Sequence, residues 1–112
     1  MEESADILLV LSDEQNREII KLISKTELTI QQISNLLNIP QSTAYRKIRK
    51  LEDLKIIKKT KVVRTLEGLD ESYYKNWIYE IIVTFRDGIL SYKLEHMKME
   101  DRIVRLWQKF SD

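Results

Sequence analysis

The chain has no cysteine, one proline, two glycines and one histidine in 112 residues. Without cysteine it has no disulfide, thiolate zinc site or redox pair, and a reducing compartment such as the cytoplasm is the expected location. So few glycines and histidines exclude a glycine-rich phosphate loop and a Ser/His/Asp or thiol nucleophile, so no enzyme is expected. Carboxylates are numerous but sit in helix caps and surface runs, with no apolar pocket to shift a pKa. Long apolar runs are missing too. Ile7 to Leu11 spans five residues between acidic flanks, too short for a signal-peptide core or a membrane span. The expectation is therefore no cofactor, no metal and no membrane partner.

What is present is a 43% hydrophobic composition, enough at this length for one compact core. Charge is segregated. Residues 41–64 carry nine Lys and Arg against Glu52 and Asp53, a local balance of +7 in a chain of net +1, which leaves −6 for the rest. Clustered positive charge on an acidic body suits a surface that meets a polyanion, although a lysine-rich solvated face has the same composition.

The pattern within that segment is more specific. Ala44, Ile48 and Leu51 recur at i, i+4 and i+7, one stripe of a helix that must be buried. At 100° per residue Ser42, Arg46, Arg49 and Lys50 fall opposite, with Thr43 and Tyr45 on the flanks. A shorter helix precedes it, seated by Ile30, Ile33, Leu36 and Leu37 and opened by a Thr29/Gln32 capping box. Pro40 disfavours helical geometry at Ile39, so that helix stops near Leu37. Two short helices around a tight turn make a helix-turn-helix pattern.

Along the rest of the chain, Ser4 to Leu11 reads as a short helix with Ile7, Leu8 and Leu11 inward. Ser12 and Gln15 read as the capping box of a second helix, whose core stripe is Ile19, Ile20 and Ile23. Ile56 to Leu66 alternates as a polar strand, Glu67 to Ser72 is a turn, and Tyr73 to Phe85 is a long aromatic strand with Trp77, Tyr79, Ile81, Val83 and Phe85 on one face. After a turn at Arg86, Asp87 and Gly88, Ile89 to Glu95 returns as a third strand. Met99, Ile103, Leu106, Trp107 and Phe110 then recur at helical spacing.

The segments LLVLSDEQNREIIKLI and IPQSTAYRKIRKLEDLKII, closing on LExLxII, resemble winged helix-turn-helix regulators of the ArsR-like type from about residue 7 to residue 66. The resemblance implies a winged helix-turn-helix, and with the elements read along the chain the expected fold is α+β: four N-terminal helices, an antiparallel β-hairpin wing with a third strand that the simplest members lack, and a C-terminal helix. Residues 1–96 would form the DNA-binding domain and residues 97–112 a dimerisation helix, within one compact unit. It also implies a transcriptional regulator that binds double-stranded DNA as a homodimer. Gln41, Ser42, Thr43, Tyr45 and Arg46 would face the bases, Arg49 and Lys50 the phosphates, and Lys58, Lys59, Lys61 and Arg64 would lie on the wing. Two departures stand out. Lys55 occupies a helix end where the family often has glycine, and metal sensing is not inherited, since there is no cysteine and only His96.

Individual residues leave alternatives open. Arg46 can grip guanine bidentately or touch phosphate. Ser42 and Thr43 can bind phosphate or cap their own helix. Tyr45 can reach the groove edge or pack between helices. Tyr73, Tyr74, Trp77, Tyr79, Phe85 and Tyr92 read as core or interface rather than a ligand pocket, and His96 as a surface residue at a strand end. The stripe Met99, Ile103, Trp107 and Phe110 can close the core or pair with a second subunit; its large Trp favours a dimer interface, with Ile7 and Leu11 as companion surface. The competing functions are a winged-helix docking module that binds an acidic protein, and an RNA-binding winged helix.

Overall fold

The computed structural model describes residues 3–98, in the order α1 (Glu3–Ser12), α2 (Glu14–Lys25), β1 (Leu28–Thr29), α3 (Ile30–Leu37), α4 (Gln41–Asp53), β2 (Ile57–Arg64), β3 (Asp70–Asn76), β4 (Ile78–Arg86) and β5 (Ile89–His96). The expected C-terminal helix lies outside the described residues. The fold is the α+β winged helix: four helices pack around Ile7, Ile19, Ile23, Ile33, Ile48 and Leu51, and a three-stranded antiparallel sheet in the order β1-β3-β2 carries the wing. Among the described residues no helix is long and apolar enough to cross a membrane.

Local chemistry explains most boundaries. The Thr29 hydroxyl accepts from the Gln32 N–H and the Gln32 side chain from the Thr29 N–H, so α3 opens on the expected capping box. Its end is a Schellman turn. Asn38 takes φ +55°, and the Ile39 N–H reaches the Ser34 carbonyl at 3.0 Å. The end of α4 repeats the device. Lys55 adopts φ +63°, with its N–H on the Glu52 carbonyl and the Ile56 N–H on the Leu51 carbonyl. Lysine thus takes the left-handed position without glycine's freedom, at a cost of about 1–2 kcal/mol that buried Ile56, locked against the Leu51 turn, offsets.

Three expectations need correction. The cap of α2 is Asp13, whose carboxylate accepts from the Gln15 N–H, whereas the Ser12 hydroxyl closes α1 by donating to the Leu9 carbonyl at 2.7 Å. Within α1 the inward residues are Ile7 and Val10; Leu8 is 48% exposed, because the buried pair three residues apart turns it outward. Finally, Tyr73 to Phe85 is not one strand. At Trp77 the chain leaves the first sheet: Asn76 brackets Ile78 with two 3.0 Å hydrogen bonds, and the Trp77 N–H donates to Ile56. Strands β4 and β5 then form a separate two-stranded sheet, so the third expected strand does not extend the wing. That hairpin closes through Asp87 and Gly88, both at positive φ, as a two-residue type I′ loop requires. Its inner residues Ile81, Val83, Tyr92 and Leu94 pack on the core.

Candidate nucleic-acid interface

Ala44, Ile48 and Leu51 are fully or almost fully buried, which pins one side of α4 and fixes what the other side presents. Gln41, Ser42, Tyr45, Arg46 and Arg49 are exposed, and Thr43 is half-buried on the flank. Pro40 occupies the N-cap and no side chain caps the helix, so Ser42 and Thr43 are not its caps. The Tyr45 hydroxyl accepts from the Arg49 guanidinium at 3.1 Å, a contact across one turn that orients both. Arg46 stands on the outward side and is not engaged by an acid among the described residues.

Other cations of the segment are held from behind. Lys50 lies 3.5 Å from Asp6 of α1, and Lys47 pairs with Asp13 at the start of α2. These pairs join the basic helix to the acidic N-terminal elements. On the wing, Lys61 is 2.8 Å from Glu27, which also accepts from Thr60 at 2.6 Å, and its ammonium sits 4.7 Å from the Tyr73 ring. The Lys61 and Thr60 hydrogen bonds hold the Glu27 carboxyl below its ordinary range, and Glu27 in turn raises the Lys61 pKa. Thr60 is the extra residue of a bulge between Lys59 and Lys61, and its anchorage to Glu27 ties the wing to the segment before β1.

Lys58 lies over the Trp77 ring at 5.4 Å, and Arg64 folds onto the Gly68 carbonyl at 3.2 Å. Lys59 is exposed and lines a cleft of about 390 Å³ between α4 and the wing, with Gln41, Tyr45, Arg49, Glu52 and Tyr74 among its walls. Burial, with Glu52 nearby, pushes the Tyr74 phenol pKa up. Beyond Arg64 the wing changes sign. Its tip carries Glu67, Asp70 and Glu71 with no cation, and Leu66 and Leu69 stand out into solvent. Basic character is therefore confined to the wing's root and middle.

The structure separates the remaining expected residues. Ile7 is completely buried within its own chain, which removes it from any surface that a second subunit could touch; the exposed apolar residues of α1 are Leu8 and Leu9. Leu11 is half-buried beside the core. Met99, Ile103, Trp107 and Phe110 lie outside the described residues. His96 is no simple surface histidine: it stacks on Trp77 with ring centroids 3.7 Å apart and meets the Lys55 carbonyl at 2.8 Å, closing the base of the second hairpin against the end of α4. Trp77, Tyr92 and Tyr74 serve packing rather than a common pocket. The pairing of Asp6, Asp13 and Glu27 with lysines of the basic segment escaped the sequence reading. Asp13 and Lys47 are 34 residues apart, and no local pattern couples them.

Residues 11–60 match the model of a helix-turn-helix domain family. No curated protein sequence matches the chain. Among solved structures, HlyU from Vibrio cholerae is similar at 12% identity and a TM-score of 0.54, covering 95% of this chain and 88% of that one. A transcriptional regulator HlyU from Vibrio vulnificus is similar at 12% identity and a TM-score of 0.53, over 96% and 86%. At such identity the likeness speaks for the winged-helix fold.

Proposed function

We propose that this winged helix-turn-helix protein is a transcriptional regulator that binds duplex DNA sequence-specifically. The observation that carries the reading is the outward side of α4, where Gln41, Ser42, Tyr45, Arg46 and Arg49 are exposed while the opposite stripe is locked in the core. An α-helix of this width fits the major groove, and Arg46 near its middle has the fork that reads guanine O6 and N7. Arg49 and Lys59 flank the cleft between helix and wing and would take the adjacent phosphates. Ser42, at the uncapped helix start, is placed for a further phosphate. The paired Lys47, Lys50 and Lys61 contribute less to binding than their number suggests.

The protein acts as a homodimer on a two-fold site, with half-sites about 34 Å apart if both recognition helices enter one face of the duplex. Leu8 and Leu9 of α1 supply exposed apolar surface for that contact. Selection of bound duplexes from a random pool tests the whole reading. It should return a palindromic consensus, and binding to it should fall steeply with salt. Recovery of no consensus, with no binding at low salt, would overturn it.

One observation favours a second reading. The acidic wing tip with its exposed Leu66 and Leu69 is unsuited to phosphate and suits a protein surface. A docking module would keep its partner when Arg46 is replaced and lose it when both leucines become serine.

A further inference from the structure

The cleft between α4 and the wing carries charge of both signs, which a phosphate site does not need. Arg49 and Lys59 line it together with Glu52, Asp70 and Glu71. Among the described residues none of these five is held in an ion pair, although Lys47, Lys50 and Lys61 of the same segment each meet a carboxylate. The strand register orders them along the wing. Lys59 stands opposite Tyr74, whereas Asp70 and Glu71 stand opposite Arg64 and Val63, three to four residues nearer the tip. At about 3.4 Å per residue the acidic end therefore lies roughly 10–14 Å from Lys59 along the strand. A duplex backbone presents anions alone. It accounts for Arg49 and Lys59 and leaves Asp70 and Glu71 facing charge of their own sign.

Between those ends the walls suit a small organic molecule. Ile30 and Ile48 offer apolar contact, and Gln41 and Ser72 offer hydrogen-bonding groups. The Tyr74 phenol is buried among Ser72, Glu52, Tyr45 and Arg49, and burial keeps it a neutral donor at pH 7. At about 390 Å³ the cleft has the size of a small-molecule site, for which about 300–1,000 Å³ is usual. Adjacent residues of a strand face opposite ways, so Lys58, which lies over Trp77, marks the other face of the wing from Lys59. Trp77 in turn stacks on His96, where β5 ends. The described chain thus finishes on the side of the wing away from the cleft.

We propose that this cleft binds a short peptide with free termini, about three residues long, with its carboxylate between Arg49 and Lys59 and its ammonium at Asp70 and Glu71. An extended tripeptide spans about 10 Å, which matches the separation of the two charged ends. Small side chains lie on Ile30 and Ile48, and the peptide groups meet Gln41, Ser72 and the Tyr74 hydroxyl. Glu52 leaves the cationic end with a single net positive charge, enough for one carboxylate. Peptide binding itself is independent of DNA. Its regulatory consequence rests on the proposed DNA binding: the peptide occupies the two cations assigned to phosphate, so peptide and duplex each weaken the other's binding.

The probe is trialanine, titrated into the isotope-labelled full chain and followed by backbone NMR shifts, with N-acetyl-trialanine and trialanine amide as counterparts that each lack one terminal charge. Trialanine should bind with a dissociation constant on the order of 1 mM and shift the signals of Gln41, Ser72 and Tyr74. Each blocked peptide should bind at least about tenfold more weakly, since a charge-assisted contact is lost. Lys59→Met should reduce the preference for a free carboxylate, and the double variant Asp70→Asn, Glu71→Gln should remove the preference for a free amine. Equal binding of trialanine and its N-acetyl form would make the cleft a plain anion site and overturn the proposal. So would the absence of shifts up to about 10 mM trialanine. Duplex affinity with and without saturating trialanine is a separate arm. A chain that binds trialanine and no duplex overturns the regulator reading and upholds the peptide site, whereas a duplex affinity unchanged by bound trialanine overturns the competition.

Discussion

Two sets of cations share the basic segment, and they differ in what stands behind them. Arg46 and Arg49 project from the outward side of α4, with the Tyr45 hydroxyl as the neighbour of Arg49 and, among the described residues, no acid paired with Arg46. Lys47, Lys50 and Lys61 are each met by a carboxylate from the N-terminal third of the chain: Asp13, Asp6 and Glu27. Contiguous charge therefore overstates the charge offered to a polyanion, because folding returns acids from distant sequence to the same surface. The split also matches the chemistry. A guanidinium fork reads base edges, whereas a lysine ammonium serves well as a compact partner in an ion pair.

The contrast breaks most completely if the stripe that sets both groups in place is damaged. Ile48→Ala should cost about 2–5 kcal/mol of stability, read from the urea midpoint. A loss below about 1 kcal/mol would put burial of the stripe no higher than a single exposed ion pair and overturn its role in seating the helix. Next in size is the direct comparison. Arg46→Ala should cost about 1–3 kcal/mol on the preferred duplex and relax sequence choice, while Lys47→Met leaves affinity and its salt slope unchanged. Equal losses for the two variants, measured by fluorescence anisotropy, would erase the distinction between them.

A smaller effect tests the wing from the acidic side. Glu27→Gln releases Lys61 for phosphate, so the plot of log affinity against log salt should steepen by about 0.9 on B-form duplex. Lys61→Ala in the native background should change that slope by less than Lys59→Ala does, because among the described residues no carboxylate pairs with Lys59. A larger change for Lys61 would show that Glu27 gives it up whenever DNA is present.

What the sequence reveals and what it hides follow the same division between near and far. The α3 capping box, the α4 stripe, the stop before Pro40 and the Asp87-Gly88 loop are decided by residues within four positions of one another, and each stands where its pattern puts it. The break at Trp77 is not of that kind. Val, Ile and aromatic residues flank it on both sides with no glycine or proline between them, and the sheet changes because the Asn76 side chain brackets Ile78 while the Trp77 N–H turns to Ile56, twenty-one residues back. The helix cap moved from Ser12 to Asp13 because both residues suit the role and only packing of α1 on α2 chooses between them. At the interface the outward residues of α4 were readable from helical geometry. The pairing of Lys47, Lys50 and Lys61 was not, since each partner lies more than thirty residues away.

Asp13 carries the finest form of the comparison, because one carboxylate both caps α2 and holds a lysine of the recognition helix. Its hydrogen bond with Lys47 is the main cause of a pKa held below the ordinary 3.8, against a desolvation cost and with help from the Gln15 N–H. A carboxyl whose pKa is lower in the folded state stabilises the fold above its unfolded pKa, and that contribution is lost as pH falls from about 4 through the folded value. Asp13→Asn keeps a good N-cap and removes the charge, so it isolates the ion pair from the cap. At pH 7 it should cost less than about 1 kcal/mol, as expected for a pair that water still reaches. As pH falls from about 4 through the folded value, where Asp13 of the native chain is itself protonated, the gap between the two urea midpoints should narrow. A gap that stayed constant as pH fell from 7 through the whole acid limb would assign the effect to the cap geometry and leave Lys47 unpaired in solution, returning it to the set of cations available to DNA.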